Sequence, residues 1–146
     1  MEKELLNTFD KELLLKDLCA RLPYGVRVFV SGDDFDNYQC PYLLIAISKF
    51  GQDIFCKIYS PIYTPLGCPG IENVKPYLFP LSSMTEKQIK ELEEIDPESH
   101  SLICENGDVC ISMGLRGYDW LNKNHFDYRG LIEKGLAIDA TGLNIY

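Results

Sequence analysis

The sequence predicts a single α+β domain, with helices packed on an antiparallel sheet that is built largely from two hairpins. Helix-spaced leucines occupy the N-terminal part, two pairs of β-rich segments are each joined by a turn signal, and a capped helix lies between the pairs. The 146 residues match one ordinary domain, and 46% of them are hydrophobic, enough for a core. We therefore expect residues 1–146 to form one domain in which residues 140–146 are a frayed tail.

A long helix is predicted from Glu2 to Leu22, because apolar residues recur there at helical spacing: Leu5, Phe9, Leu13, Leu14, Leu18 and Leu22. Asn7 and Thr8 interrupt the pattern, so Thr8 or Asp10 is a candidate second cap. Pro23 and Gly25 end the helix. A strand from Val26 to Val30 follows, with its three valines on one face.

The first hairpin joins the β-rich runs Tyr42–Phe50 and Asp53–Tyr59 through Gly51 and Gln52, which suit a type II′ turn. A two-residue turn places Ile47 opposite Cys56 and Ile45 opposite Ile58. The predicted core face of this hairpin is then Leu43, Ile45, Ile47, Ile54, Cys56 and Ile58. The following segment, 60–80, is rich in proline and glycine and is predicted to be a long aromatic loop, which either lines a ligand site or packs over the second sheet face.

The central helix carries a capping box formed by Thr85 and Gln88, and a hydrophobic staple formed by Met84 and Ile89. Pro97 ends it. A second hairpin is predicted around Asn106 and Gly107, a strong turn signal between two short β-rich runs at 102–105 and 108–113.

Two short helices are predicted near the C-terminus. Asp127 is placed to cap a helix of about two turns that begins at Tyr128, and Gly135 is placed to end it in a left-handed conformation with Leu136 packed back on Leu131. A helix this short must dock to be stable. The expected docking surface is Trp120, Leu121, Phe126, Leu131 and Ile132.

Composition excludes several classes of protein. The net charge of −8 argues against nonspecific binding to nucleic-acid phosphates. No apolar run approaches the roughly 20 residues of a membrane span, and no secretion signal is recognisable, so we expect a cytoplasmic protein. The six cysteines form no Cys-x-x-Cys pair and the two histidines lie apart, so neither a zinc site nor any cofactor is expected.

The polar cluster most suited to ligand binding is His125, Asp127, Tyr128 and Arg129, beside Lys123. The guanidinium of Arg129 matches a phosphate or carboxylate, although an ordinary ion pair with Asp127 or Glu133 is the alternative. The aromatic loop adds two tyrosines. The candidate ligand-binding residues are therefore Arg129, Tyr128, His125, Lys123, Tyr77 and Tyr63.

No phosphate-binding glycine loop, nucleophile elbow or zinc-protease motif occurs, so no catalytic residue is assigned and a non-catalytic protein is favoured over an enzyme. The loop at 31–40 leaves one enzymatic alternative open. Asp33, Asp34 and Asp36 could serve a metal-dependent hydrolase, but their spacing lacks the glycine and distal glutamate of an EF-hand, which favours a solvated turn.

Three stretches, at 15–25, 74–86 and 120–137, resemble a group of small proteins encoded by gut bacteria, their prophages and phages, for which no activity is assigned. The resemblance implies an accessory protein that acts by binding in the cytoplasm of a bacterial host cell. One expectation is a counter-defence protein that sequesters a small anionic, nucleotide-like signal. The other is an acidic inhibitor of a host protein.

Overall fold

The computed structural model describes residues 7–31, 41–51, 53–59, 68–97 and 114–146, and within them it confirms the predicted α+β class. Short 3₁₀ turns lie at Leu22–Tyr24, Ile71–Asn73 and Leu81–Ser83. The helices and strands are α1 (Thr8–Arg21), β1 (Arg27–Val30), β2 (Tyr42–Phe50), β3 (Asp53–Tyr59), β4 (Val74–Pro80), α2 (Glu86–Ile95), α3 (Leu115–Lys123), β5 (Phe126–Asp127) and β6 (Ile138–Asp139).

Helix α1 begins one residue after Asn7, whose side-chain oxygen accepts a hydrogen bond of 2.7 Å from the Asp10 N–H. Asn7 is therefore the cap, in place of Thr8 or Asp10, and the predicted start at Glu2 lies outside the described residues. Phe9 was predicted to lie in the buried stripe, but it is 67% exposed. The buried face of α1 is Leu14, Asp17, Leu18 and Arg21.

The sheet is mixed rather than purely antiparallel. Its strand order is β3-β2-β1-β4-β5, and β6 also pairs with β4. Strands β1 to β4 pair antiparallel, whereas the two-residue strands β5 and β6 pair parallel with β4. The second predicted hairpin, around Asn106 and Gly107, lies outside the described residues.

The β2–β3 hairpin is confirmed, with one change of register. Gly51 has a φ of 62°, as its turn requires, and Ile47 lies opposite Cys56 as predicted. A bulge between Leu44 and Ala46 then places Leu44, not Ile45, opposite Ile58. Because the bulge inserts one residue into β2, the side chains on its far side face the opposite way from the prediction. Leu44 is therefore 2% exposed and Ile45 is 42% exposed.

Strand β4 forms where the sequence predicted a loop. Val74 pairs with Val30 of β1, and Tyr77 pairs with Ile138 of β6. Both prolines of the strand lie at the ends of ladders: Pro76 is in the last pair with β1, before the pairs with β6 begin, and Pro80 is the last residue of β4. Burial of Val74, Tyr77 and Leu78 against the rest of the sheet outweighs the local preference for a loop.

Two apolar clusters hold these elements together. The first joins the leucines of α1 to the valines of β1 and extends to Leu131 and Leu136. The second joins α2, α3 and β5, where the rings of Trp120 and Phe126 stack with centroids 5.7 Å apart. The residues of the predicted C-terminal docking surface are thus packed as expected, but they are divided between the two clusters.

The predicted helix from Tyr128 is reduced to a single turn. Gly130 has a φ of 73°, which interrupts any helix at that point. The carboxylate of Asp127 still caps the turn, because it accepts hydrogen bonds from the N–H groups of Leu131 and Ile132 at 3.0 and 2.9 Å. The predicted two-turn helix is therefore wrong, although Asp127 does act as the capping residue.

The end of this turn agrees with the prediction. Gly135 has a φ of 73° and donates its N–H to the Ile132 carbonyl. The Leu136 N–H bonds the Leu131 carbonyl at 2.9 Å, which completes a Schellman motif. Residues 140–146, expected to fray, are instead attached, since the Tyr146 hydroxyl donates to the Tyr77 carbonyl at 2.8 Å.

The capping box of α2 is present as predicted, and it gives a direct test of the fold. The Gln88 N–H bonds Thr85 Oγ1 at 3.2 Å and the Thr85 N–H bonds Gln88 Oε1 at 2.9 Å. We expect Thr85→Ala to lower the free energy of unfolding by about 1 kcal/mol in urea denaturation. Thr141→Ala, in an exposed turn, is the matched control and should change it by less than about 0.5 kcal/mol. Equal effects of the two variants would contradict the capping role.

Candidate functional site

A buried carboxylate shared by two arginines lies at the end of α1. Asp17 and Arg21 are both 0% exposed, and Asp17 Oδ2 accepts a 2.9 Å hydrogen bond from Arg21 Nε. The other oxygen of Asp17 accepts a 2.8 Å hydrogen bond from Arg129 Nη1. Since desolvated charges are costly unless they are paired, this cluster fixes α1 against the segment that follows β5.

The cluster is not balanced in charge or in hydrogen bonds. Two guanidiniums face one carboxylate, which leaves one positive charge in excess. Arg21 Nη2 donates to the Phe126 carbonyl at 2.6 Å, but Arg21 Nη1 is buried and has no hydrogen-bond partner among the described residues. An unsatisfied buried donor on a charged group costs free energy. An anion or a water molecule bound beside Arg21 would remove that cost.

Arg129 connects this cluster to the surface. Its side chain is 21% exposed, and its guanidinium lies 4.5 Å from the centre of the Tyr128 ring. The guanidinium of Arg21 lies 5.4 Å from the same ring, so Tyr128 contacts both arginines. The Tyr128 hydroxyl donates a 3.0 Å hydrogen bond to Asn122 Oδ1. The guanidinium of Arg129 thus pairs with Asp17 rather than with Asp127 or Glu133. The Asp127 carboxylate accepts instead from the backbone N–H of Arg129, at 3.3 Å.

His125 lies next to the cluster in an unusual conformation. It is 8% exposed, has a φ of 63°, and stacks on the Tyr146 ring at 3.7 Å with an angle of 10° between the planes. Burial, together with the charges of Arg21 and Arg27, lowers the pKa of His125 to about 4. The imidazole is therefore neutral at pH 7, and its buried Nδ1 has no partner among the described residues.

The other predicted ligand residues are more scattered. Lys123 is exposed at the end of α3, and Tyr77 is buried in β4, where its carbonyl bonds Tyr146. Tyr63 lies outside the described residues. Sequence reasoning missed Asp17, Arg21 and Tyr146. The sequence did contain a sign that Asp17 and Arg21 are buried together. They are oppositely charged, lie four residues apart, and fall beside Leu14 and Leu18 on the apolar face of the predicted helix.

The described residues offer no group of three or more histidines, cysteines or carboxylates suited to a metal ion. The hydrolase candidates Asp33, Asp34 and Asp36 lie outside them, as do Cys40, Cys104 and Cys110. Cys19 and Cys68 are exposed free thiols, whereas Cys56 is buried. Burial, with smaller contributions from Cys19, Cys68 and Glu72, raises the pKa of Cys56 to about 12, so this thiol is a poor nucleophile.

Comparison of the chain with protein-family models, curated proteins and solved structures gives no match. The resemblance to small proteins of gut bacteria and their phages therefore stays a prediction. In the part of the chain that the structure describes, no helix has the length and apolar character needed to cross a bilayer. The functional argument rests on the geometry of the Asp17 cluster and its neighbours.

We expect Asp17→Asn to lower the free energy of unfolding by about 3 kcal/mol or more, because it leaves two buried or half-buried guanidiniums without their counter-charge. Urea denaturation followed by circular dichroism measures this loss. Glu12→Gln, an exposed position on the same helix, should change stability by less than about 0.5 kcal/mol. A loss below about 1 kcal/mol for Asp17→Asn would contradict the inferred role of this carboxylate.

We expect His125 to make folding stability depend on pH. Its pKa is about 4 in the folded protein and 6.5 ordinarily, so the unfolded chain takes up the proton first as the pH falls. This contribution is complete above pH 6.5 and is lost progressively toward pH 4, at up to about 1.4 kcal/mol per pH unit. His125→Asn tolerates the left-handed backbone but cannot titrate. The difference in unfolding free energy between wild type and this variant should shrink from pH 6.5 to 4, and parallel pH profiles would refute the assignment.

Proposed function

We propose that this protein is a non-catalytic binding protein that captures a small anionic, nucleotide-like ligand at the cluster of Asp17, Arg21 and Arg129. The observation that carries the proposal is the sharing of one buried carboxylate by two guanidiniums, with Arg21 Nη1 left unsatisfied. A bound anion would balance the excess charge and accept from the free donor. Guanidinium groups are well suited to this because their planar donors match phosphate and carboxylate oxygens.

Arg129 is the residue that would meet the ligand first. Among the described residues its side chain donates one hydrogen bond, from Nη1 to Asp17, so Nε and Nη2 remain as donors for an anion. Its side chain is 21% exposed, so among the three charged residues it is the one that solvent reaches. Tyr128 stacks beside it and would form one wall of the site. This positive site contrasts with the net charge of −8, so it is a local feature rather than part of a basic surface.

The resemblance to phage and prophage proteins supports a biological setting for such capture. A phage benefits from a cytoplasmic protein that sequesters a nucleotide signal made by the host's defence. This role requires affinity and no catalysis, and it agrees with the lack of a recognisable catalytic motif in the sequence.

Inhibition of a host protein is the second candidate function. The observation that favours it is a set of exposed aromatic side chains on the β2–β3 hairpin, where Phe50 is 70% and Tyr59 is 52% exposed. The strand register places both on the same face as Phe55. Exposed aromatic residues on a strongly acidic protein would suit contact with a basic partner.

Thermal-shift measurements with cyclic and linear nucleotides and with inorganic phosphate test the capture of an anion. A ligand at a hundred times its Kd should stabilise the wild type by about 2.7 kcal/mol. Arg129→Ala should weaken binding by about tenfold or more, because it removes a charged hydrogen-bond donor. Arg129→Lys should weaken binding as well, since it keeps the charge but loses the planar donor pair.

Lys87→Ala is the matched control, because it removes an exposed positive charge on α2, outside the proposed site. It should leave the Kd within about twofold of wild type, within the scatter of surface substitutions. A ligand that binds Arg129→Ala as tightly as wild type would place the site elsewhere. No stabilisation by any anion would refute the proposal and favour the protein-binding alternative.

A further inference from the structure

The side chain of Tyr146 fills a slot with a defined set of walls, which we name the Tyr146 slot. The ring of His125 forms one face, stacked at 3.7 Å, and the ring of Phe79 lies at 6.0 Å, tilted by 53°. At the inner end the Tyr146 hydroxyl accepts from the Arg27 N–H at 2.9 Å and donates to the Tyr77 carbonyl at 2.8 Å. The Arg27 carbonyl is a second, more distant acceptor, at 3.5 Å from the hydroxyl. The slot thus combines an aromatic stack with one backbone donor and a close backbone acceptor.

This donor and acceptor are available because of the strand register. The last pair between β1 and β4 is Val28 with Pro76, so Arg27 and Tyr77 occupy the next position along the two strands. The Tyr146 hydroxyl bridges them where a further backbone pair would otherwise lie. Buried backbone polar groups require partners, but any group that carries a donor and an acceptor close together can serve. The slot therefore suits any planar group that carries a hydrogen-bond donor close to an acceptor, and not tyrosine alone.

The present occupant is held by its side chain and not by regular secondary structure. Residues 144–146 belong to no helix or strand, and Asn144 has a φ of 52°. The last backbone hydrogen bond before them joins the Leu143 N–H to the Ala140 carbonyl at 3.1 Å. Although the hydroxyl lies inside the slot, Tyr146 as a whole is 46% exposed. Its side chain can leave without the loss of any helix or strand.

The slot adjoins the Asp17 cluster. His125 forms its face, and the next residue, Phe126, accepts the hydrogen bond from Arg21. Two buried polar atoms in this region, His125 Nδ1 and Arg21 Nη1, have no partner among the described residues, and Tyr146 satisfies neither of them. A ligand that combines a planar polar ring with an anionic group would suit both parts of the region.

We propose that the Tyr146 slot binds the base of a nucleotide whose phosphate binds Arg21 and Arg129, and that Tyr146 is an internal occupant which the base displaces. Nucleobase edges carry a donor next to an acceptor, as the Tyr146 hydroxyl does, and their rings stack on aromatic side chains. The neutral form of His125 at pH 7 suits such stacking. This inference rests on the proposed function and adds the part of the site that selects a nucleotide from other anions.

Isothermal titration with adenosine 5′-monophosphate, uridine 5′-monophosphate, adenosine and inorganic phosphate tests the slot. We expect Tyr146→Ala to lower the Kd of at least one nucleotide by about tenfold or more, which corresponds to a slot open in fewer than about one in ten wild-type molecules. The Kd of inorganic phosphate should not change. Leu143→Ala, half exposed on the same segment, is the matched control and should bind as wild type does.

Tyr146→Phe gives a second measurement if the alanine variant folds poorly. It keeps the ring in the slot but removes both hydroxyl hydrogen bonds, so it should also tighten nucleotide binding, by a smaller factor. In the wild type, saturating nucleotide should shift the ring-proton NMR signals of His125 and Tyr146 as the stack exchanges its partner. In the Tyr146→Ala background, Arg129→Ala should weaken binding of the nucleotide and leave adenosine binding unchanged.

The outcomes separate this inference from the proposed function. If phosphate and both nucleotides bind wild type and Tyr146→Ala equally and adenosine binds neither, the slot is refuted and anion capture stands. If neither nucleotides nor phosphate bind either protein, both proposals are refuted. Weaker nucleotide binding in both Tyr146 variants would show that the tyrosine supports the site instead of occupying it, and would also overturn the inference.

Discussion

The buried carboxylate of Asp17 is the interaction on which the arrangement of the two ends of the described chain depends. It binds Arg21 four residues away and Arg129 112 residues away, and Arg21 in turn binds the carbonyl of Phe126. Helix α1 and strand β5 are therefore held by desolvated charges in addition to apolar packing. Because each of these charges is costly without its partners, a change at one of them affects all three.

The same region carries several features that stability alone does not explain. Arg21 Nη1 and His125 Nδ1 are buried without partners among the described residues, and His125 adopts a left-handed backbone. Proteins tolerate such costs most often where binding or catalysis requires them. Their concentration around one carboxylate is the reason to place a ligand here rather than in a surface groove.

The charge distribution indicates what kind of affinity such a site can have. A protein with a net charge of −8 repels anions at long range, so electrostatic steering would not accelerate their capture. Affinity must then come from short-range contacts with a few groups in a partly desolvated setting, where charged hydrogen bonds are stronger than in water. The guanidinium of Arg129 and the ring of Tyr128 would provide contacts of this kind, as would the ring of His125 once Tyr146 has left it.

The α+β class and the local caps and turns of the chain follow from the sequence alone. The capping box at Thr85, the turn at Gly51 and the left-handed Gly135 were predictable because each involves residues within a few positions of one another. Strand β4, the bulge at Ile45, and the contacts of Asp17 with Arg129 and of Tyr146 with Tyr77 form only in the folded chain. Each of these features depends on residues that are distant in sequence, and their burial outweighs the local conformational preference. The periodicity of a sequence does not show which distant residues will come into contact.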